Sequence, residues 1–214
     1  MRLAREANIL GKLLLIGSVF AACAGPAGAA WAQTSSAAPC PLERYRVPQW
    51  AKGRNTFAAE LEPDFKVAWQ GAETDLGVAI LCAGAAAGAP WAEMALGAMV
   101  SEGRLGFKKD PVQARAWMER AAARGHAEAQ FMLSGMYISG AGGPVKVAAG
   151  VDLLRAAAQG GFADAQFSYG SELYLGRYLP RDPNGALLWL RRAAQAGHEG
   201  ASKILQELAR QGVR

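Results

Sequence analysis

The sequence predicts an all-α solenoid, a row of paired helices in which each pair leans on the next. Three observations predict it. Apolar residues recur at helical spacing through most of the 214 residues. One phrase of about 36 residues occurs three times. Helix-capping residues bracket both halves of that phrase. Composition agrees: 51% of the chain is apolar, 19% charged and 8% aromatic, so its body is not a disordered chain and has material for a core. The length suits one domain or two small ones.

The first copy runs Ala92, Leu96, Gly97, Val100, Gly103, then Asp110, Pro111, Ala114, Trp117, Ala121, Ala122, Gly125. The second runs Ala129, Leu133, Ser134, Tyr137, Gly140, then Gly150, Leu153, Ala157, Ala158, Gly161. The third runs Ala165, Tyr169, Gly170, Leu173, Gly176, then Asp182, Pro183, Ala186, Trp189, Ala193, Ala194, Gly197. The closing glycines are 36 residues apart both times.

Each copy reads as two helices. Helix A begins at Ala92, Ala129 or Ala165 and ends at a Gly, the residue that accepts the left-handed conformation of a helix C-terminus. After a short loop, helix B opens in copies one and three with Asp-Pro. The carboxylate accepts from orphan N–H groups, and Pro is pre-set for the first helical turn. Ala114, Trp117, Met118, Ala121 and Ala122 then form one apolar stripe. Small residues at inward positions let the two backbones approach, and the Trp fills the remaining wedge. Copy two departs from this, with Lys146 for the capping Asp, Gly150 for Ala and Leu153 for Trp. Its helix B is expected to be the least stable, and its Gly140–Pro144 loop the loosest.

Residues 56–91 read as a degenerate first repeat, in which Leu76, Ile80, Ala85, Ala86 and Gly88 match a helix B. At the other end Ala201, Leu205 and Leu208 repeat the helix-A spacing. Lys203, Glu207 and Arg210 make the far face polar, as a solenoid's terminal cap requires.

This pattern closely resembles the Sel1-like repeats, relatives of the tetratricopeptide repeats. The family reads A-x3-L-G-x2-Y-x2-G, a short loop, then D-x3-A-x2-W-x3-A-A-x2-G. The resemblance covers residues 92–197 as three units, within a repeat domain of 92–214. It implies a right-handed α/α solenoid that holds another protein or peptide on its concave face. In bacteria it implies an adaptor or scaffold of envelope signalling, surface assembly or host interaction. Some secreted, cysteine-rich relatives have been described as penicillin-binding or β-lactamase-like. Those carry a Cys pair in each repeat, whereas units one to three here contain none, so a wall-active or β-lactam hydrolase is only the weaker alternative.

The first 32 residues read as a secretory signal. Arg2, Arg5 and Lys12 precede an apolar run from Leu13 to Ala22, and Ala30-Trp31-Ala32 offers a small-x-small site before Gln33. The run is nearer half the about 20 residues a membrane helix needs, so no span is expected once the signal is removed. Cleavage after Ala32 places the protein in the periplasm or outside the cell. A second reading stays open: Phe20-Ala21-Ala22-Cys23 resembles a lipobox, which makes Cys23 a lipidation site and the protein a lipid-anchored structural component of the envelope. Residues 33–55 read as a flexible, Pro-interrupted linker. Cys40 and Cys82 are then the two remaining thiols, and in an oxidising compartment they are a candidate disulfide. The alternative for Cys82 is a small buried residue in an Ala-rich helix.

Removing the leader reduces the net charge from +5 to +3, spread along the chain without a long basic run. That is no nucleic-acid footprint. His126 and His198 share one repeat position two periods apart, too distant to bind one metal, and no zinc spacing is present. Ser139 and Ser171 lie outside any nucleophile elbow. Gly140–Gly143 follows a helix and lacks the Lys-Ser/Thr ending of a phosphate loop. Glu102, Asp110, Glu119 and Glu172 occupy different repeat positions and imply no carboxylate pair. The chain is therefore expected to have no cofactor, metal or catalytic residue. The residues expected to meet a partner are Met94, Phe131 and Phe167, which share one position of helix A, and Tyr174 beyond them; the resemblance also implies the alternative that an aromatic at this shared position packs between units.

Overall fold

The computed structural model describes residues 74–210. The leader, Cys23, Cys40, the linker and the first part of the degenerate repeat lie outside the described residues. Those described fold into eight helices: α1 (Thr74–Ala86), α2 (Pro90–Glu102), α3 (Pro111–Ala123), α4 (Ala127–Ser139), α5 (Val147–Gln159), α6 (Ala163–Leu175), α7 (Pro183–Gln195) and α8 (Glu199–Arg210). No strand occurs among them. Each helix packs chiefly on its neighbours in sequence. Three antiparallel pairs, α2/α3, α4/α5 and α6/α7, therefore stack in one row, with α1 before them and α8 after.

Local chemistry sets the helix ends. Oδ1 of Asp110 accepts from the N–H groups of Val112 and Gln113, both at 3.0 Å, and Asp182 accepts from Gly185 at 2.9 Å. Gly103, Gly140 and Gly176 end the A helices with φ of 71°, 78° and 70°, in the left-handed region where a side chain is disfavoured. The A helices begin two residues earlier than the apolar spacing suggests, at Pro90, Ala127 and Ala163. Two histidines show how such starts are made. His126 Nδ1 accepts from the N–H of Ala129 and His198 Nδ1 from that of Ala201, at 3.3 and 3.0 Å.

The apolar stripes meet as expected. Ala114, Trp117, Met118, Ala121 and Ala122 are all buried in α3. A Cβ on Gly97 would lie 3.2 Å from the Ala114 carbonyl oxygen, and one on Gly170 would lie 3.2 Å from that of Ala186. The small residues are what let A and B touch. Gly84 of α1 does the same against Ala92 and Trp91. Ala201 of α8 is buried, while Leu205 and Leu208 are half covered.

The Gly140–Pro144 loop is not the loose segment expected. Gly142 has φ +74°, and a Cβ there would lie 2.1 Å from the Pro111 carbonyl oxygen. The buried Arg115 donates to the Pro144 carbonyl at 3.1 Å. The glycines therefore let this loop lie flush on the first turn of α3. Gly150 is likewise a close approach, because a Cβ there would meet Ile138 at 2.7 Å.

Candidate functional site

The four residues expected to meet a partner divide into two groups. Met94 packs on the cluster containing Ala129 and Leu133 of the next unit. Phe131 lies 5.4 Å from Phe162, ring centre to ring centre, and Phe167 stacks on His198 at 4.2 Å. These three are half-buried and cross the seams between units. Tyr174 is different: it is 48% exposed at the end of α6, beside Leu175 and close to Tyr178. It does not share a surface cluster with the other three.

The candidate chemical residues have structural partners. His126 and His198 cap helices through Nδ1. Ser139 and Ser171 donate their hydroxyl protons to carbonyls of their own helices, Gly135 and Phe167, both at 2.8 Å. No group of three or more His, Cys, Asp or Glu side chains within reach of one ion occurs among the described residues. No helix among them is long and apolar enough to cross a membrane. Cys82 is buried and disulfide-bonded, with its partner outside the described residues.

Two seams carry buried charge. Glu93, fully buried, is held between Arg120, at 2.7 Å, and Arg124. In the other units its position is filled by Gln130 and Gln166, whose Nε2 groups donate to the carbonyls of Ala122 and Ala158 at the end of the preceding helix B. A carboxylate cannot donate that bond, and Arg124 instead brings its guanidinium over Gly88. The Glu at a position where the other copies have Gln was the visible signal for this site.

The second seam joins unit one to unit two. Arg115 contacts Glu119 at 3.2 Å, lies over the Tyr137 ring and reaches Pro144, while Tyr137 donates its hydroxyl to Glu119 at 3.0 Å. Burial, reinforced by the Glu119 carboxylate, pushes the Tyr137 phenol above its ordinary value. In unit three the buried Glu172 is paired with Arg177, which raises the Arg177 guanidinium further. Arg155 is raised by its bond to the Tyr169 oxygen. Repeat spacing hides most of these pairs: Arg115 stands where the other units have Val151 and Leu187, and Glu172 where they have Met99 and Met136, whereas Arg155 stands where they have Glu119 and Arg191.

Among the described residues the arrangement offers extended surfaces and edges, with the histidines and Ser139 and Ser171 engaged as above. Comparison with known proteins agrees on the architecture. The crystal structure of a Sel1 repeat protein from Oxalobacter formigenes is similar with a TM-score of 0.63 and 27% identity, covering 72% of this chain and 61% of that one. The crystal structure of a protective antigen present in uropathogenic Escherichia coli strains, displaying an SLR fold, is similar with a TM-score of 0.64 and 29% identity, covering 80% of this chain and 36% of that one. In sequence, chitin synthase regulatory factor 3 of Schizosaccharomyces pombe is 36% identical over 120 residues, 55% of this chain but only 13% of that protein. The Sel1 repeat family model matches residues 92–126, 127–162 and 163–198, half of the chain in three consecutive units. The chain belongs to the Sel1 repeat family.

Proposed function

We propose that this protein is an exported adaptor that holds another protein or peptide on its row of helices and performs no chemistry of its own. The observation that carries this reading is the commitment of its polar side chains. His126, His198, Ser139, Ser171 and the buried Glu93 and Glu172 are tied to caps, backbone carbonyls or ion pairs. What is left to the outside is an extended surface, the kind repeat proteins use for recognition. Sel1 repeats are typically protein-interaction scaffolds. The matched fungal relative is named a regulatory factor, which fits a non-catalytic role for the shared stretch.

Export to the periplasm rests on the leader reading and gains support from Cys82, because a structural disulfide persists in an oxidising compartment. Two measurements on cells test the proposal together. N-terminal sequencing of the purified protein is expected to begin at Gln33. Cross-linking in intact cells, followed by mass spectrometry, is expected to recover one reproducible envelope protein bound to residues of the helical row. A cytoplasmic, unprocessed protein would overturn the export reading. Recovery of self-linked chains alone would overturn the adaptor. Incorporation of a fatty-acid probe that is lost on Cys23→Ala would replace soluble export by a lipid anchor.

A further inference from the structure

Eight large apolar side chains are exposed among the described residues, and six lie where an A helix hands over to its B helix: Val112, Val145, Val147, Tyr174, Leu175 and Tyr178. Because the units repeat in the same sense, these hand-over loops line one edge of the row. The densest part is in unit three, where Tyr174, Leu175 and Tyr178 are 48%, 54% and 44% exposed within five residues.

The same edge is positively charged, and its carboxylates are already engaged. Asp110 and Asp182 cap helices, Glu102 is paired with Arg104, and Glu172 with Arg177. Lys108, Lys109, Lys146 and Arg181 make no ion pair with an acidic side chain among the described residues, although the capping Asp110 and Asp182 adjoin Lys109 and Arg181 in sequence. Two of these cations are held in place. Lys146 Nζ lies 5.1 Å from the centre of the Tyr137 ring. Arg181 lies 5.7 Å from that of Tyr174 and donates Nε to the Tyr174 carbonyl at 3.2 Å.

We infer that this edge docks an acidic segment of a partner protein, one that sets an apolar side chain between carboxylates. The inference rests on the adaptor reading and adds the partner's chemistry to it. Exposed Tyr and Arg are the residue types that most often anchor interfaces: the ring gives contact area with few torsions to freeze, and the planar guanidinium can fork a carboxylate. Complementary charge would speed encounter and set register. Four cations spread over three loops do not make the continuous track that a phosphate backbone requires. Nor do the described residues of this edge form a long amphipathic helix face with Trp or Phe, as a lipid surface would need.

The test is selection of a random 12-residue peptide library, displayed on phage, against the full chain. The enriched peptides are expected to be rich in Asp and Glu around an aliphatic or aromatic residue, and to bind more weakly as salt rises. A synthetic copy of the leading peptide should bind about tenfold more weakly to R181E and to Y174A/Y178A, with circular dichroism unchanged. Both variants alter exposed side chains, and either one retaining its helicity is sufficient for the comparison. Failure to enrich any peptide, enrichment without acidic excess, or equal binding by wild type and both variants would overturn the inference. So would tighter retention of a 12-nucleotide RNA or of phosphatidylglycerol vesicles, abolished by the same substitutions. A neutral peptide that binds and ignores these variants would remove the edge while leaving the adaptor reading in place.

Discussion

Cζ of Arg115 lies 4.3 Å from the centre of the Tyr137 ring, joining helix B of the first unit to helix A of the second. The same guanidinium fixes the Pro144 carbonyl, 29 residues away in sequence. Arg115→Ala removes a charge-assisted hydrogen bond and a cation–π contact at a buried position. It is expected to cost about 2–3 kcal/mol in urea unfolding. Hydrogen exchange should rise at the Gly143 and Lys146 amides, which bond to the Gly140 and Tyr137 carbonyls, while the amides of α8 keep their protection. Unchanged exchange in this loop would show that Arg115 does not hold it.

Glu93 gives a graded prediction. Glu93→Ala leaves Arg120 and Arg124 facing each other across an apolar gap, although both are partly exposed and can turn toward water. The expected loss is therefore about 2–3 kcal/mol, below the range for a fully buried pair. Glu93→Gln should cost less, about 1 kcal/mol, because the amide can donate to the preceding helix as Gln130 and Gln166 do. Equal losses for the two variants, measured by denaturant unfolding, would argue against the charge pair as the important contact.

Two glycines separate backbone strain from close packing. Gly125 has φ +82° and nothing within 4 Å of a built Cβ, so Gly125→Ala should cost only the left-handed penalty, about 1–2 kcal/mol. Gly142 has a similar φ of +74°, but its Cβ would lie 2.1 Å from a backbone oxygen. Gly142→Ala must therefore displace the loop from α3 and should cost at least about 1 kcal/mol more than Gly125→Ala. Thermal or urea unfolding of both variants side by side checks the order.

Tyr137 predicts a pH dependence on the alkaline side. Its folded pKa is raised, by burial first and then by Glu119, so the native state keeps this proton when the unfolded chain has lost it. The contribution is fully present below the ordinary tyrosine value near 10 and is lost as pH rises through the folded value. Tyr137→Phe has no proton to lose there, and its stability should fall less steeply above about pH 10. Parallel urea titrations at neutral and alkaline pH give the difference directly.

Cys82 predicts redox sensitivity. If Cys40 is the partner, a loop of about 40 residues is closed, which contributes about 3–4 kcal/mol in the chain-entropy account. Reductant should lower the unfolding midpoint, and Cys40→Ser should leave one free thiol at the buried Cys82, titratable in denaturant without reductant. Two free thiols in unreduced, processed protein would exclude the bond.

The sequence by itself determined the period, the number of complete units and where most helices stop. Those features are local: a carboxylate two or three residues from an orphan N–H, a glycine where the backbone turns left-handed, alanines one helical turn apart. Asp110, Asp182 and the closing glycines take the places their spacing predicts for that reason. Tertiary structure decided which charges are buried and which aromatic rings face outward. Glu93 and Arg124 are 31 residues apart, and Arg115 and Pro144 29, so neither pair is visible in a helical period. The Gly140–Pro144 loop reads as slack in the sequence, yet it lies flush because α3 presents Pro111 and Arg115 to it. Phe131 and Phe167 read either as partner contacts or as packing between units, and the tertiary structure places Phe162 and His198 against them. In a stack of thin units, the neighbouring unit decides whether a side chain is core or surface.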